Sequence, residues 1–317
     1  MKVINQHLSD RFSLYHGDSV EVIKGLPDNS IDLTISSPPF CNLYSYSPSP
    51  RDMGNTVDDD HFFENFNYLV PELFRVTTPG RLCVIHCKDL PLFYGSDGCA
   101  GLRDFPGEIV RCFNSHGWAF HSRVTIWKCP KTERERTNNS GLLHNQLCKD
   151  STASRQGMAD YLLVFRKWNQ EMDGLNSTKP VSRKKNARFS NYIGSEPPMI
   201  TPEISERDYS IEVWRKYASP VWFDIDPMDV LNTKAAKEGD EPHICPLQLD
   251  VIARCVELWS NPDDIVFDPF NGIGSTGYQA LKMNRKYTGI ELKASYFRTA
   301  VENLKESESA DQLKLLA

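Results

Sequence analysis

The stretch DIVFDPFNGIGSTGYQALKMNRKYTGIE, residues 264–291, constrains the fold more than any other part of this chain. A short apolar run ends at Asp268, Gly272 and Gly274 follow in a tight turn, a helical segment runs to Met283, and a second strand ends at Glu291. A strand, glycine turn, helix and strand in that order build a parallel sheet. The free backbone N–H groups and the positive dipole end of the helix favour an anionic group beside Ser275. Glu291, at the end of the second strand, is placed to accept hydrogen bonds from a ribose diol, so the unit implies a nucleoside-like ligand. The chain has no G-x-x-x-x-G-K-[ST] stretch, which excludes a P-loop, and Gly277 stands at an irregular spacing for the third glycine of a dinucleotide site. An acid followed by proline, Asp268-Pro269, suits a ligand with an ammonium group. S-adenosylmethionine has that group, together with a carboxylate for the helix N-terminus. Taken alone, the motif also allows a turn whose glycines are only structural.

The same alternation runs through the N-terminal part. Periodicity predicts strand Phe12–His16, a short helix after Asp18, strand Ile31–Ser36, a helix around Phe62–Val76, strand Arg81–His86, a helix around Phe105–Ser115 and strand His121–Trp127. From about Pro130 to Pro242 the pattern weakens to one clear strand, Tyr161–Lys167, followed by sequence rich in Pro, Ser and Lys. Order returns with a helix around Leu247–Trp259 and ends with a helix from Ala294, whose tail KESESADQLKLLA is polar enough to fray. The expectation is an α/β fold with a mostly parallel sheet, divided into 1–129, an inserted module at 130–242, and 243–317.

Composition narrows the function classes. A chain of 317 residues, 40% hydrophobic, can bury one large core or two modest ones. The net charge of −6 argues against indiscriminate coating of nucleic acid and leaves local basic surfaces as the places that would meet phosphate. There are two, Arg123–Arg136 and Lys179–Ser190, the second free of acids; for a charge run alone a solvated loop is the plainer reading. Nine cysteines without a C-x-x-C pair read as reduced thiols. Cys83, His86 and Cys87 have the wrong spacing for a zinc finger, and no metal is expected. No apolar run approaches the roughly 18 residues of a membrane span, and MKVINQHLSDRF lacks the apolar middle of a signal peptide, so a cytoplasmic protein is expected.

The segment DLTISSPPFCNLYSYSPSPRDMGN, residues 32–55, runs a strand straight into two prolines. With DPFNGIGS further on, its SSPPF resembles the DNA amino-methyltransferases, whose catalytic motif is [D/N/S]-P-P-[Y/F] after a strand, here Ser37-Pro38-Pro39-Phe40. Catalytic motif first, then a target-recognition region, then the cofactor motif is the order of the β group of that family. The resemblance covers nearly the whole chain. It implies a Rossmann-like methyltransferase fold, circularly permuted, with a twisted sheet, helices on both faces and an inserted target-recognition region.

The family's chemistry gives the prolines a purpose. An exocyclic aromatic amine is a poor nucleophile, so rigid acceptors must hold both its N–H hydrogens while the nitrogen becomes tetrahedral. Pro38 and Pro39 fix φ and remove two donors, leaving the Ser37 side chain and the Pro38 carbonyl as acceptors. Phe40 would stack on a base flipped out of the duplex. The resemblance further implies Asp18 beside the cofactor adenine, although an Asp there also suits a helix N-cap. Asp268 with Pro269 would meet the methionine part, Phe270 would flank the adenosine, Gly272 and Gly274 would shape the turn, and Ser275 would bind the carboxylate. Tyr44, Tyr46 and Arg51 are placed to touch the target base or phosphates, and Arg183, Lys184, Lys185 and Arg188 to meet DNA phosphates. HICPLQL, from His243, departs from the family's usual His-Pro segment.

Serine in the first motif position resembles the branch that methylates N4 of cytosine, with N6 of adenine the alternative. A methyltransferase acting on another amine or amide, or a catalytically dead DNA-binding relative, are the remaining classes; motif order argues against the first and the intact motifs against the second. Double-stranded DNA is the implied partner, a cognate restriction endonuclease a further one, and the chain would act as a monomer or homodimer.

Overall fold

A computed structural model describes residues 2–40, 49, 51–56, 58–137, 141–142, 150–152, 154–168, 213–231 and 247–315. Its strands are β1 (Asn5–Leu8), β2 (Phe12–His16), β3 (Ile31–Ser36), β4 (Thr77–Lys88), β5 (Leu90–Leu92), β6 (Gly101–Arg103), β7 (Trp118–Ile126), β8 (Asp160–Lys167), β9 (Val221–Trp222), β10 (Ile265–Asp268) and β11 (Lys286–Glu291). The helices are α1 (Ser19–Val22), α2 (Asp59–Val76), α3 (Tyr94–Asp97), α4 (Phe105–Ser115), α5 (Pro130–Thr137), α6 (Leu249–Trp259), α7 (Ser275–Lys282) and α8 (Ala294–Leu315). Among the described residues no helix is long and apolar enough to cross a membrane.

One sheet runs β1-β2-β11-β10-β3-β4-β8-β7-β9, and β5 with β6 forms a separate antiparallel pair. The run from β2 to β4 is parallel, whereas β8 is antiparallel to both β4 and β7. Period-two patterning explains how the central strands fill both faces. On β8, Leu163 and Phe165 enter one core while Leu162 and Val164 enter the other. The first core is closed by Phe62, Phe66, Leu69 and Leu73 of α2 with Ile109 and Phe113 of α4. The second is closed by Val251, Ile252 and Val256 of α6, Leu281 of α7 and Phe297 and Leu304 of α8. Helices therefore cover both faces, as the sequence leads one to expect.

Three features depart from the sequence-based layout. Strands β8 and β9 come from the 130–242 span yet belong to the main sheet, so the sheet does not respect that division. The residues 213–231 are also tied down: Arg254 of α6, fully buried, pairs with Asp250 and Asp224 and lies 5.2 Å from the ring centroids of both Tyr217 and Trp222. Such a buried cation is held by paired carboxylates and aromatic faces. Finally, α8 continues to Leu315 where fraying is expected, because the Lys, Glu, Ala, Gln and Leu of that tail are good helix formers despite their polarity.

Candidate functional site

The sheet fixes where a ligand can sit. β3 leads through α2 to β4 on one side, and β10 leads through α7 to β11 on the other, so the neighbouring parallel strands β10 and β3 send their connections in opposite directions across the sheet. At such a switch point the loops part and leave a crevice at the carboxyl ends of the strands. A pocket opens there, walled by residues that include Ser37, Phe40, Asp268, Phe270, Ser275 and Glu291.

On the β10 side each carboxylate is held by backbone. Asp268 accepts from the Phe270 amide at 2.9 Å and from the Thr276 hydroxyl at 2.8 Å. Glu291 accepts from the amides of Gly272 and Lys293, both at 2.7 Å. Burial dominates both groups and pushes the carboxyls up, Asp268 to about 7 and Glu291 to about 8. The turn needs its glycines: Gly272 has φ 54° and Gly274, which caps α7, has φ 91°. The N-cap of α7, Gly274, has no side chain to satisfy the first amides of the helix, which begins at Ser275. Pro269 also lines the pocket.

Asp18 takes the capping geometry, accepting from the Val20 amide at 3.0 Å at the start of α1. Its other oxygen accepts from Arg51 Nη1 at 2.8 Å, so a residue expected at the cofactor and one expected at DNA form an ion pair on the pocket wall. Asp52, which belongs to no motif in the sequence, also lines the pocket. It is buried, one oxygen accepts from the Gly54 amide at 2.8 Å, and the other, Oδ2, has no partner among the described residues. The only sequence signal there is Asp at the start of a turn, which is uninformative about a ligand.

Asp18, Asp52, Asp268 and Glu291 all line this one cavity. Burial that raises Asp268 and Glu291, beside a buried Asp52 oxygen with no partner among the described residues, calls for a ligand bearing positive charge and hydrogen-bond donors. S-adenosylmethionine, with its ammonium, sulfonium, ribose hydroxyls and adenine amine, fits that set.

On the β3 side, Ser37 reaches the wall while Pro38 is buried behind it, and Pro39 and Phe40 border the same space. Phe40 is 3% exposed and packs edge-on against Phe105, so most of its ring is committed to the core. Ser37 Oγ lies 3.0 Å from His86 Nδ1, whose Nε2 lies 3.2 Å from Asp160 Oδ2. Lys128 Nζ is 2.7 Å from the same carboxylate. Burial raises the Asp160 carboxyl, but the hydrogen bonds and charges of His86 and Lys128 prevail and hold it well below the usual carboxylate range. Alternation along β4 puts Cys83 and Cys87 in the first core and His86 on the opposite face. Tyr44, Tyr46, Arg183, Lys184, Lys185, Arg188 and the segment from His243 to Cys245 lie outside the described residues.

Known proteins agree with this architecture. The DNA methylase family of N6 and N4 methyltransferases matches residues 31–302. An orphan methyltransferase of Bacillus amyloliquefaciens, M.BamHII, is 53% identical over 282 residues, 89% of this chain and 91% of that protein. The type II methyltransferase M.BglII of Bacillus subtilis is 23% identical over 299 residues, 94% of this chain and 69% of that one. Among solved structures, PvuII DNA methyltransferase, described as cytosine-N4-specific, shares the fold with a TM-score of 0.59 at 15% identity, over 97% of this chain and 95% of that one. A Thermus thermophilus protein described as a DNA modification methylase, solved with S-adenosyl-L-methionine, gives 0.62 at 20% identity, over 94% and 96%. With a family match across most of its length and a relative more than half identical, the chain belongs to the N6 and N4 DNA methylases.

Proposed function

We propose that this DNA methyltransferase modifies N4, the exocyclic amino nitrogen of cytosine, in a base flipped out of duplex DNA. The observation that carries the reading is the shared pocket: Ser37 at the end of β3 and Asp268 at the end of β10 border one cavity from adjacent parallel strands. Bound S-adenosylmethionine supplies an electrophilic methyl group on a sulfonium. Asp268 is the acceptor for its ammonium, the open amides of α7 with Ser275 take its carboxylate, Glu291 takes the ribose, and Phe270 and Asp18 border the adenosine.

From the pocket wall the Ser37 hydroxyl accepts one amino hydrogen, and the carbonyl of Pro38, buried behind it, is the second acceptor the motif implies; together they localise the nitrogen lone pair as the centre becomes tetrahedral. The prolines make those acceptors stiff, so little reorganisation accompanies the reaction. Phe40 supplies a ring edge at the base position. The serine form of the motif favours cytosine, and the acid-free stretch Lys179–Ser190, in the span 130–242 assigned to target recognition, supports contact with phosphate.

The test is transfer of a labelled methyl group from S-adenosylmethionine into duplex DNA, RNA or a protein extract offered side by side. Label in duplex DNA alone, lost in Ser37→Ala, supports the proposal. Label in RNA or protein instead overturns it.

A further inference from the structure

Ser37 is the end of a buried hydrogen-bonded chain. Its hydroxyl meets His86 from β4 at 3.0 Å, His86 meets Asp160 from β8 at 3.2 Å, and Lys128 meets Asp160 at 2.7 Å. The side chains of His86 and Asp160 are 8% and 9% exposed, and β4 and β8 are paired over seven residue pairs that include His86 with Leu162 and Lys88 with Asp160. Side chains from β4, β8 and the segment after β7 thus form one relay that ends on the serine hydroxyl.

We propose that His86, oriented by Asp160, is the positioning residue that holds the Ser37 hydroxyl as an acceptor and receives its proton once the target amine is methylated. The proposal rests on the reading of Ser37 as the acceptor for that amine.

The hydrogen-bond inventory sets the direction of the chain. Asp160, ionised beside Lys128, has only acceptors, so His86 Nε2 must carry the hydrogen that points at it. In the neutral ring Nδ1 is then an acceptor, and the hydrogen between it and Ser37 belongs to the serine. Donation toward His86 turns the Ser37 lone pairs to the pocket, where the amino hydrogens of a base are to be held. With a protonated ring the direction reverses: Nδ1 donates into Ser37 and uses up a lone pair.

After the N–CH3 bond forms, the nitrogen carries one proton too many. That proton passes to Ser37 Oγ while the serine proton passes to His86 Nδ1; the N–H electron pair returns to the amine and its ring, and the imidazolium formed faces the Asp160 carboxylate. Atoms and charge balance without any further reactant. A buried histidine satisfied by its neighbours would show similar distances, but it would have no reason to end on a pocket-wall hydroxyl. Among the described residues, the charged groups around His86 include Asp160 from β8, Lys128 after β7, and the pair of Lys88, two residues along β4, with Glu133 of α5.

Steady-state kinetics on the full chain with a DNA substrate test this, using His86→Phe and His86→Asn beside Ser37→Ala. His86→Phe should lower kcat about 100-fold, the lower range for a positioned proton acceptor, with S-adenosylmethionine affinity unchanged. His86→Asn keeps an acceptor toward Ser37 and should recover part of kcat, which a merely structural role for the ring would not predict. A kcat for His86→Phe within about threefold of wild type while Ser37→Ala is inactive overturns the role of His86 alone. Full activity in Ser37→Ala overturns the acceptor reading beneath it. If His86→Phe fails to fold, histidine nitrogen NMR of the wild type decides: hydrogen on Nε2 with bare Nδ1 at neutral pH supports the proposal, and hydrogen on Nδ1 overturns it.

Discussion

Glu291 Oε2 accepts a 2.7 Å hydrogen bond from the Gly272 amide, joining the end of β11 to the turn that follows β10. Its other oxygen accepts from the Lys293 amide, so one carboxylate forms part of the pocket wall and also ties two loops together. Glu291→Ala is therefore expected to lower both S-adenosylmethionine affinity and stability. Two part-buried amides lose their partner, each at a cost of up to about 1 kcal/mol. Calorimetric titration at low temperature and thermal melts check the two effects; unchanged affinity would remove Glu291 from the cofactor site.

Burial raises Asp268 to about 7 and Glu291 to about 8 in the ligand-free protein. The folded chain keeps protons there that the unfolded chain releases near pH 4. These groups thus make stability fall as pH rises from about 4 through 8. In melts between pH 5 and 8.5 the wild type should lose stability more steeply than Asp268→Asn. Parallel curves would contradict the assignment.

Ser37 borders the pocket while its motif neighbour Pro38 is buried. Ser37→Ala should lower kcat by at least about 100-fold and leave S-adenosylmethionine affinity within about twofold, because its acceptor is used as the amine becomes tetrahedral. Kinetics with separate cofactor titration check this, and an equal loss in both would reassign Ser37 to cofactor binding.

If Arg183, Lys184, Lys185 and Arg188 meet phosphates, changing all of them to Gln should weaken DNA binding for every sequence. The slope of log K against log salt should flatten by up to about one unit per residue. An unaltered slope would make the segment a solvated loop.

How legible the chain was depended on the range of each interaction. Strand β3, with its apolar run, and α4, with its capping Asp104, were readable because they obey local periodicity and capping rules. Gly272 and Gly274 announced a turn through conformations that only glycine adopts freely. The insertion of β8 between β4 and β7 was not readable, because sheet order comes from pairing between distant segments. For the same reason His86 and Asp160, 74 positions apart, gave no sign of their partnership. Asp52 was hidden because an oxygen left without a partner among the described residues is a property of packing.

N4 of cytosine is the atom we propose is methylated in the pocket walled by Ser37 and Asp268. Mass spectrometry of the nucleosides from duplex DNA incubated with the protein and S-adenosylmethionine tests it most directly. N4-methylcytosine, absent with Ser37→Ala, is the predicted result. N6-methyladenine with no modified cytosine would contradict it.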